Sequence, residues 1–265
     1  MIKSPIRYFG GKGGMKNEIL QYFPDKSTYS IYVEPFGGGA SILLARDLGH
    51  AEVYNDINKN VYSLFKVLSD NSLFQEFKNK CDLALYSAEL REEYKNNLKD
   101  QSLTMGDRAF YFWYVNRTSH GGVGGFSKHR YTRRGMAKAT SDFLSSVDRL
   151  KELHDRLSAV IIENKDALKL IEEYNDEKTF MYLDPPYSWE TRTSTRYEND
   201  FSPEQQKQLI DTLLVNKAKV LLSGYTCVEY ERLTNAGWQK IDFTVNTIGG
   251  DMKPKSKIET LWKNY

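Results

Sequence analysis

The chain has 265 residues, a formal net charge of +2, 40% apolar residues and 27% charged residues. This composition supports a buried core and excludes a globally disordered chain. Two cysteines, Cys81 and Cys227, are too few for a disulfide framework and form no metal-binding pattern, so we expect a reducing compartment. The apolar run Phe110–Val115 is too short to span a membrane, and residues 1–14 lack the apolar stretch of a signal peptide.

Positive charge is concentrated in one segment. Residues 108–138 hold seven Arg and Lys and no Asp or Glu, which leaves a net charge of −5 for the rest of the chain. The segment also holds aromatic residues and four closely spaced glycines, a composition that suits contact with phosphates and base edges. A solvated loop beside a core element explains it as well. The near-neutral total therefore does not exclude a nucleic-acid partner. The basic residues are Arg108, Arg117, Lys128, Arg130, Arg133, Arg134 and Lys138.

The first seventy residues predict alternating strands and helices. A strand over Ile31–Glu34 leads into three glycines, and a helix over Ser41–Leu48 joins it to a strand over Ala51–Asn55. Strand, glycine turn, helix and strand form a βαβ unit, so the sheet should be parallel. Flanking helices are predicted over Met15–Phe23 and Asn58–Leu68.

Residues 71–158 change character, since no strands alternate with helices there. This segment begins helical, continues into the basic glycine loop and closes with an apolar helical stripe starting at Phe143 and ending at Leu157. We therefore predict a separate domain inserted between two parts of an α/β domain.

The strand–helix rhythm then resumes. Ser202, Pro203 and Gln205 predict a capped helix start with a capping box. A terminal hairpin is expected around a Gly249–Gly250 loop. The predicted strands are Ala159–Glu163, Phe180–Leu183, Lys219–Ser223, Ile241–Asn246 and Ile258–Trp262.

A glycine-rich turn follows the first predicted strand. Residues 34–40 read Glu-Pro-Phe-Gly-Gly-Gly-Ala, and glycines here let a ligand approach the backbone at the carboxyl end of a parallel sheet. Asp56 ends the next strand, 18 residues beyond Gly38, where a carboxylate can accept hydrogen bonds from ribose hydroxyls. The pattern fits a nucleoside cofactor in general, and a tight turn without a ligand also explains it.

A second motif, Asp184-Pro185-Pro186-Tyr187, directly follows a buried strand. The prolines fix the backbone and remove two donors, which leaves the Pro185 carbonyl able to accept a hydrogen bond. Asp184 offers a second acceptor, and Tyr187 offers a ring face. Two acceptors and a stacking ring match a planar base that carries an exocyclic amino group.

Four segments together resemble the Dam-type adenine-N6 DNA methyltransferases, which use S-adenosylmethionine. Ala40 departs from the pattern, because several members have a second glycine of an F-x-G-x-G motif there. The resemblance implies an α/β fold: a Rossmann-like methyltransferase core with a mainly parallel sheet and a terminal β-hairpin (residues 1–70 and 159–265), plus an inserted, largely helical DNA-recognition domain (residues 71–158). The matching segments are Arg7–Lys12, Glu34–Ser41, Asn55–Asn58 and Asp184–Tyr187.

The resemblance also implies roles for individual residues. Asp56 would bind the ribose hydroxyls, Asp184, Pro185 and Tyr187 would hold the target adenine, and Asp184 would also face the cofactor. Asp166 would accept from the cofactor's adenine amino group, although a helix N-cap explains it equally well. The other implied cofactor-binding residues are Tyr8, Lys12, Glu34, Phe36, Gly38 and Gly39.

Residues 116–138 are the predicted DNA-binding segment. Arg130, Arg133 and Arg134 are candidates for guanine edges, since an arginine can grip O6 and N7 together. Phosphate contacts are expected from Arg117 and Lys128 and also from Lys138, and Asn116 completes the set. The loop after the second motif, with Trp189, Arg192, Arg196, Tyr197 and Phe201, is of a kind that closes over a flipped base.

The sequence therefore predicts a site-specific adenine-N6 DNA methyltransferase. Its expected cofactor is S-adenosylmethionine without a metal, and its expected partner is double-stranded DNA, with no membrane. A monomer is expected to suffice, with a dimer left open, in the cytoplasm of a bacterial or phage-infected cell.

Cytosine-N4 or RNA-base amino methylation remains an alternative, as does a catalytically silent DNA-binding relative. A nicotinamide oxidoreductase would leave the second motif and the basic segment unexplained. The recognition sequence stays open, with GATC only a guess from the family.

Overall fold

The computed structural model describes residues 2–8, 10–128, 131–186, 201–248 and 254–265, with backbone alone for 245–248 and 254–257. The helices are α1 Lys16–Leu20, α2 Lys59–Ser69, α3 Asn71–Asp82, α4 Ala88–Asn97, α5 Met105–Thr118, α6 Lys138–Asp148, α7 Leu150–Leu157, α8 Ala167–Glu173, α9 Pro203–Leu214 and α10 Val228–Asn235. The strands are β1 Ile31–Glu34, β2 Ala51–Asn55, β3 Thr132–Arg133, β4 Met136–Ala137, β5 Val160–Glu163, β6 Thr179–Leu183, β7 Lys219–Gly224, β8 Gln239–Ile248 and β9 Pro254–Lys263.

The chain divides into two compact units. The first comprises Met1–Gly14, Gly38–Gly49 and Asn58–Asn164, and the second comprises Met15–Gly37, His50–Ile57 and Lys165–Tyr265. These units place residues 58–70 and 159–164 together with the predicted inserted segment. The assignment of functions to segments 1–70, 71–158 and 159–265 stays a prediction.

A mostly parallel sheet organises the second unit. Its described strands lie in the order β2-β1-β6-β7-β9-β8, and the first four run parallel. The last two form the predicted antiparallel terminal hairpin, with β9 antiparallel to β7. The bounds predicted for β1 and β2 are confirmed. A parallel sheet of this kind confirms the Rossmann-like α/β prediction.

Both faces of this sheet are buried, as parallel strands require. On one face Val33, Val53 and Met181 join a core that also contains residues of α8, α9 and α10. On the other face Phe180 packs edge-on against Phe23, with ring centroids 4.7 Å apart. The predicted capping box of Ser202 and Gln205 is confirmed, with Pro203 at the first helical position.

The first unit is mainly helical around an aromatic core. Trp113 on α5, which is fully buried, packs against Phe143 and Phe77 with ring centroids 5.4 and 5.9 Å apart. Burying each such side chain stabilises the fold by about 1.5–3 kcal/mol. The residues of the predicted stripe from Phe143 to Leu157 are buried on α6 and α7. A two-stranded hairpin, β3 and β4, lies in the middle segment, where no strand was predicted.

The helix predicted over Ser41–Leu48 is wrong. Only Leu43–Ala45 forms a 3-10 turn, and Arg46 leaves the helical region with φ −90° and ψ 150°. The carbonyl of Leu43 accepts the backbone N–H of Arg46 at 3.3 Å and a second hydrogen bond of 2.9 Å from Nη2 of Arg156. One carbonyl of this short turn thus makes both a local and a long-range bond. Within the described residues, no helix combines the length and apolar character needed to cross a membrane.

Candidate active site and nucleic-acid interface

Asn55 fixes the carboxyl ends of the strands in the second unit. Its side-chain Nδ2 donates to the carbonyl of Pro35 (2.8 Å) and to the carbonyl of Lys165 (3.1 Å). Its Oδ1 accepts from the backbone N–H of Lys165 at 2.8 Å, and its own carbonyl accepts from Gly37 at the same distance. One buried amide thus holds three chain segments in register, at the sheet edge where α/β proteins place ligands.

Gly37 is required for a close approach within this edge. A Cβ at this position would lie 2.1 Å from Cε2 of Tyr54, whose side chain is fully buried. Any other residue would therefore force the tyrosine ring out of the core. The first glycine of the predicted ligand turn serves packing in this unit.

Two carboxylates lie buried at the same edge. Glu34 ends β1 and accepts a hydrogen bond of 2.6 Å from the hydroxyl of Tyr32. Asp56 directly follows β2 and is 7% exposed. Phe36 is partly buried and meets Phe201 edge-on, with ring centroids 5.5 Å apart. Buried carboxylates next to an aromatic ring can bind hydroxyl groups and cationic centres.

Asp184 directly follows β6 and is held by the neighbouring strand. Ser223 on β7 donates from Oγ to Asp184 Oδ1 at 3.0 Å, and the Tyr182 hydroxyl lies 3.2 Å from the same Oγ. Burial and the charge of Asp184 hold the pKa of Tyr182 well above its usual value, so this hydroxyl keeps its proton. When Ser223 donates to Asp184, Tyr182 must donate to Ser223. The carboxylate therefore ends a short, oriented hydrogen-bond chain.

The two prolines after Asp184 are fixed from α9. Pro185 is buried, and the carbonyl of Pro186 accepts a hydrogen bond of 2.8 Å from Nε2 of Gln206. Gln206 in turn accepts from the hydroxyl of Tyr230 at 3.0 Å. The backbone of the motif is thus rigid as far as it is described. Tyr187, the predicted stacking ring, lies outside the described residues, as do Trp189, Arg192, Arg196 and Tyr197 of the predicted closing loop.

Asp166 is the N-cap of α8. Its Oδ1 accepts from the backbone N–H groups of Leu168 (3.0 Å) and Lys169 (3.2 Å). The capping explanation thus has direct structural support, and one oxygen of the carboxylate is used in it. The role of Asp166 towards a cofactor stays a prediction.

Tyr8, in the first unit, lies against the glycines that belong to that unit. Gly38 has a φ of +48°, and a Cβ there would lie 2.8 Å from the Tyr8 ring. A Cβ on Gly39 would lie 3.0 Å from the Tyr8 Cβ. Glycine is therefore needed at position 38 for both conformation and space. Lys12 lies on a 3-10 turn and is 3% exposed.

Asn116, the first residue of the predicted DNA-binding segment, is buried at the end of α5. Its Oδ1 accepts from the backbone N–H of Arg7 at 2.8 Å. Its Nδ2 donates to the carbonyls of Arg7 (2.9 Å) and Gly122 (3.3 Å). The side chain thus clamps the amino-terminal segment and the glycine loop to the helix. It positions Arg7, whose Nη1 donates to the carbonyl of Ser119 at 3.2 Å.

A cationic cavity of about 400 Å³ opens in the first unit. Arg117 lines this cavity. Burial, together with the charges of Arg7 and Arg149, lowers the pKa of its guanidinium to about 10, so the group is still charged at neutral pH. The buried Nε of Arg117 has no hydrogen-bond partner among the described residues. The cations that line the cavity are Lys3, Arg7, Arg117, Arg133, Arg134 and Arg149.

The remaining predicted DNA contacts lie on exposed elements. Arg133 and Lys138, on the hairpin and at the start of α6, have side chains that are 52% and 44% exposed. Arg134 has a φ of +55° and donates to Ser145 Oγ at 3.3 Å. Lys128 is exposed. Arg130 lies outside the described residues.

Three residues near these sites were not identified from the sequence as functional. Asn55 lies inside a matched motif but has no predicted role, and its position as the last residue of a strand is the one signal that the sequence offers. Ser223 gave no signal, because the strand that places it beside Asp184 is 39 residues away in sequence. Arg149 lies beyond residues 108–138, the segment without Asp or Glu, so the charge pattern of the sequence does not indicate that it lines the cavity.

Neither cysteine is suited to nucleophilic chemistry at neutral pH. Burial raises the pKa of Cys81 well above its usual value and that of Cys227 to about 11. A thiol must lose its proton to act as a nucleophile. In the part of the chain that the structure describes, no group of three or more His, Cys, Asp or Glu could hold a metal ion.

Comparisons with known proteins point in one direction. The model of the family described as D12 class N6 adenine-specific DNA methyltransferase matches residues 8–244. The type II methyltransferase M.MjaIII of Methanocaldococcus jannaschii is 25% identical over 86% of this chain and 86% of its own length. The type II methyltransferase M.CviBI of Paramecium bursaria Chlorella virus NC1A is 24% identical over 87% and 90%. The modification methylase StsI of Streptococcus sanguinis is 23% identical over the whole of this chain and 43% of its own length.

Proposed function

The chain belongs to the D12 class N6 adenine-specific DNA methyltransferases, and from this premise we propose that it methylates N6 of an adenine flipped out of duplex DNA, with S-adenosylmethionine as methyl donor. The observation that carries the proposal is Asp184, a carboxylate held by Ser223 at the end of β6 and followed by a rigid proline turn. The names of two relatives support a type II restriction–modification setting.

The second unit offers groups that fit the cofactor. Asp56 would accept from the ribose hydroxyls, Glu34 would face the charged methionine portion, and Phe36 would add an apolar contact. The fit rests on two buried carboxylates at neighbouring strand ends, which suit hydroxyl groups and cations. When bound, S-adenosylmethionine supplies an electrophilic methyl group. Tyr8, Lys12, Gly38, Gly39 and Asp166 are proposed to complete this binding set.

Asp184 would act on the amino group of the target adenine. That nitrogen is a poor nucleophile because its lone pair is conjugated with the ring. A carboxylate that accepts an amino N–H, with the Pro185 carbonyl accepting the other, favours a tetrahedral nitrogen whose lone pair is available for the methyl group. Orientation supplies the larger part of the rate in this scheme. No cysteine takes part, in keeping with two thiols that stay protonated.

DNA binding would come from the first unit. Flipping an adenine out of the helix costs about a few kcal/mol, which protein–phosphate contacts must offset. We propose that Arg117, Lys128 and Lys138 contact phosphates, with Arg133 and Arg134 closer to base edges. The buried Asn116 would act by holding Arg7 and the glycine loop. Arg130 and Tyr187 keep their predicted roles.

Single-molecule sequencing of duplex DNA treated with the protein and S-adenosylmethionine tests this function. The expected result is N6-methyladenine at one short recurring sequence, which the same reads would identify. Methylation at N4 of cytosine, or no modified base with a protein that binds both cofactor and DNA, would overturn it. DNA treated with S-adenosylhomocysteine in place of the donor is the matched control.

A further inference from the structure

Two carboxylates, Asp142 and Asp148, line the cationic cavity of the first unit, and Asp142 already holds two of the predicted DNA contacts. Asp142 on α6 lines the cavity, and its side chain is only 20% exposed. Its Oδ1 accepts from Nη1 of Arg133 at 3.0 Å, and its Oδ2 accepts from Nζ of Lys138 at 2.7 Å. Both oxygens of the carboxylate are therefore engaged with cations.

Asp142 is ionised at neutral pH. The hydrogen bond from Lys138, the charge of Lys138 and the nearby Arg133 hold the pKa of this carboxyl below its usual value. An ionised carboxylate and a phosphodiester present the same anionic oxygens to the same N–H donors. They therefore compete for one set of cations.

We propose that the cavity is a binding site for a backbone phosphate of DNA, and that Asp142 is an internal competitor for Arg133 of the cavity and for the neighbouring Lys138, which weakens binding to DNA of any sequence. Arg117 has a donor to spare in this site, since its buried Nε has no partner among the described residues, and Arg7 and Arg149 line the same cavity. An incoming phosphate relieves the mutual repulsion of these guanidinium groups. The proposal rests on the proposed function for the presence of DNA.

Competition by Asp142 predicts the direction in which DNA affinity changes when its charge is removed. While Asp142 holds Arg133 and Lys138, the DNA must either displace it or do without these donors. A displaced carboxylate takes up a solution cation, which subtracts from the counterions that binding releases. Removing the charge of Asp142 should therefore tighten binding and steepen its salt dependence. A carboxylate that instead served to position the two cations for DNA would have the opposite effect on affinity.

The test measures binding of a fluorescein-labelled 20-base-pair duplex by anisotropy over a series of NaCl concentrations. With Asp142→Asn we expect Kd to fall about three- to tenfold at low salt, and the slope of log Kd against log salt to increase by about one. Ser145→Asp adds a carboxylate to the same cavity wall and should weaken binding and flatten the slope. The two variants change the charge in opposite directions, so the proposal stays testable if either one fails to fold.

Asp155→Asn is the matched control. Asp155 also pairs with a lysine four residues earlier, Lys151, and its loss changes the net charge by the same amount outside the cavity. Its Kd should stay within about twofold of wild type. Equal affinities for Asp142→Asn and Asp155→Asn, or weaker binding by Asp142→Asn, would overturn the competitor role alone. A wild-type protein that binds no duplex at any salt concentration would overturn the proposed function as well.

Discussion

The carboxyl edge of the sheet in the second unit and the cationic cavity in the first unit are built in opposite ways. At the sheet edge, Asp56 and Asp184 follow directly after strands, Ser223 holds Asp184, and the buried Asn55 holds the neighbouring backbone. In and beside the cavity, Arg133 and Lys138 are half-exposed, and the bonds that hold them are ionic. Catalysis requires the reacting groups to be positioned within a fraction of an ångström, whereas binding to the phosphate backbone of DNA depends mainly on positive charge. Substitutions at the two regions should therefore have different effects, on turnover at the sheet edge and on DNA affinity at the cavity.

Replacing Asp184 should have the largest effect. Asp184→Asn keeps the shape of the side chain but removes the charge that attracts the amino protons of adenine. We expect kcat for methyl transfer to fall about 10²–10³-fold, as for loss of one preorganised electrostatic group. Affinity for duplex DNA should stay within about twofold, because the basic elements belong to the other unit. Transfer of a radiolabelled methyl group and anisotropy measure the two quantities.

Asp211→Asn is the control for that change. Asp211 lies on α9 in the same unit and forms an exposed ion pair with Arg232. It should retain wild-type turnover. Equal turnover in Asp184→Asn and Asp211→Asn would refute the role of the sheet edge in chemistry.

Asp56→Asn should act on the cofactor instead of the DNA. Loss of a hydrogen-bonding charge costs about 1.5–3 kcal/mol, so Kd for S-adenosylmethionine should increase about 10- to 100-fold. Isothermal titration calorimetry measures this directly, without a turnover assay. An unchanged Kd would remove Asp56 from the binding set, and Asp211→Asn again serves as the control.

The sequence predicted the sheet edge better than it predicted the cavity, for a physical reason. A strand and the residue that follows it are neighbours in sequence, so the local pattern alone places the motifs at positions 34–40 and 184–187 at strand ends. The cavity is assembled from residues as far apart as Lys3 and Arg149. Its geometry depends on Asn116, which binds the backbone of a residue 109 positions away, and no local pattern encodes such a bond. The segment Ser41–Leu48, where the predicted helix is wrong, likewise contains a bond that no local pattern encodes, from Arg156 to the carbonyl of Leu43.

Gly37→Ala should test how rigid the sheet edge is. The added Cβ would meet the buried Tyr54 ring at 2.1 Å, and overpacking of this kind costs about 1–3 kcal/mol of unfolding free energy. Urea denaturation followed by circular dichroism measures it. Gly49→Ala adds the same methyl group where nothing lies within 4 Å, and it should leave stability nearly unchanged. Similar midpoints for the two variants would show that the edge yields easily.

Ser223→Ala should affect turnover more than binding. The change removes the hydrogen bond to Asp184, worth about 1.5 kcal/mol for a charged acceptor, so kcat should fall about tenfold with KM for DNA unchanged. Thr179→Val is matched to it, since the buried Oγ1 of Thr179 has no partner among the described residues. That variant should keep wild-type kcat. A change in KM with unchanged kcat would show that Ser223 does not position Asp184.

Cys227 should give the smallest effect, and its pH dependence makes the result informative. With a pKa of about 11, only about one thiol in ten thousand is ionised at pH 7. Cys227→Ser should therefore keep methyl transfer within about twofold of wild type, because a mechanism based on Asp184 needs no thiolate. In a Cys81→Ser background, alkylation of Cys227 by iodoacetamide should rise about tenfold per pH unit from pH 7 to 9, since deprotonation is still far from complete there. A rate that begins to level off between pH 8 and 9 would mean an ordinary, accessible thiol. A large loss of turnover in Cys227→Ser would reopen a thiolate mechanism that the sheet-edge carboxylates otherwise make unnecessary.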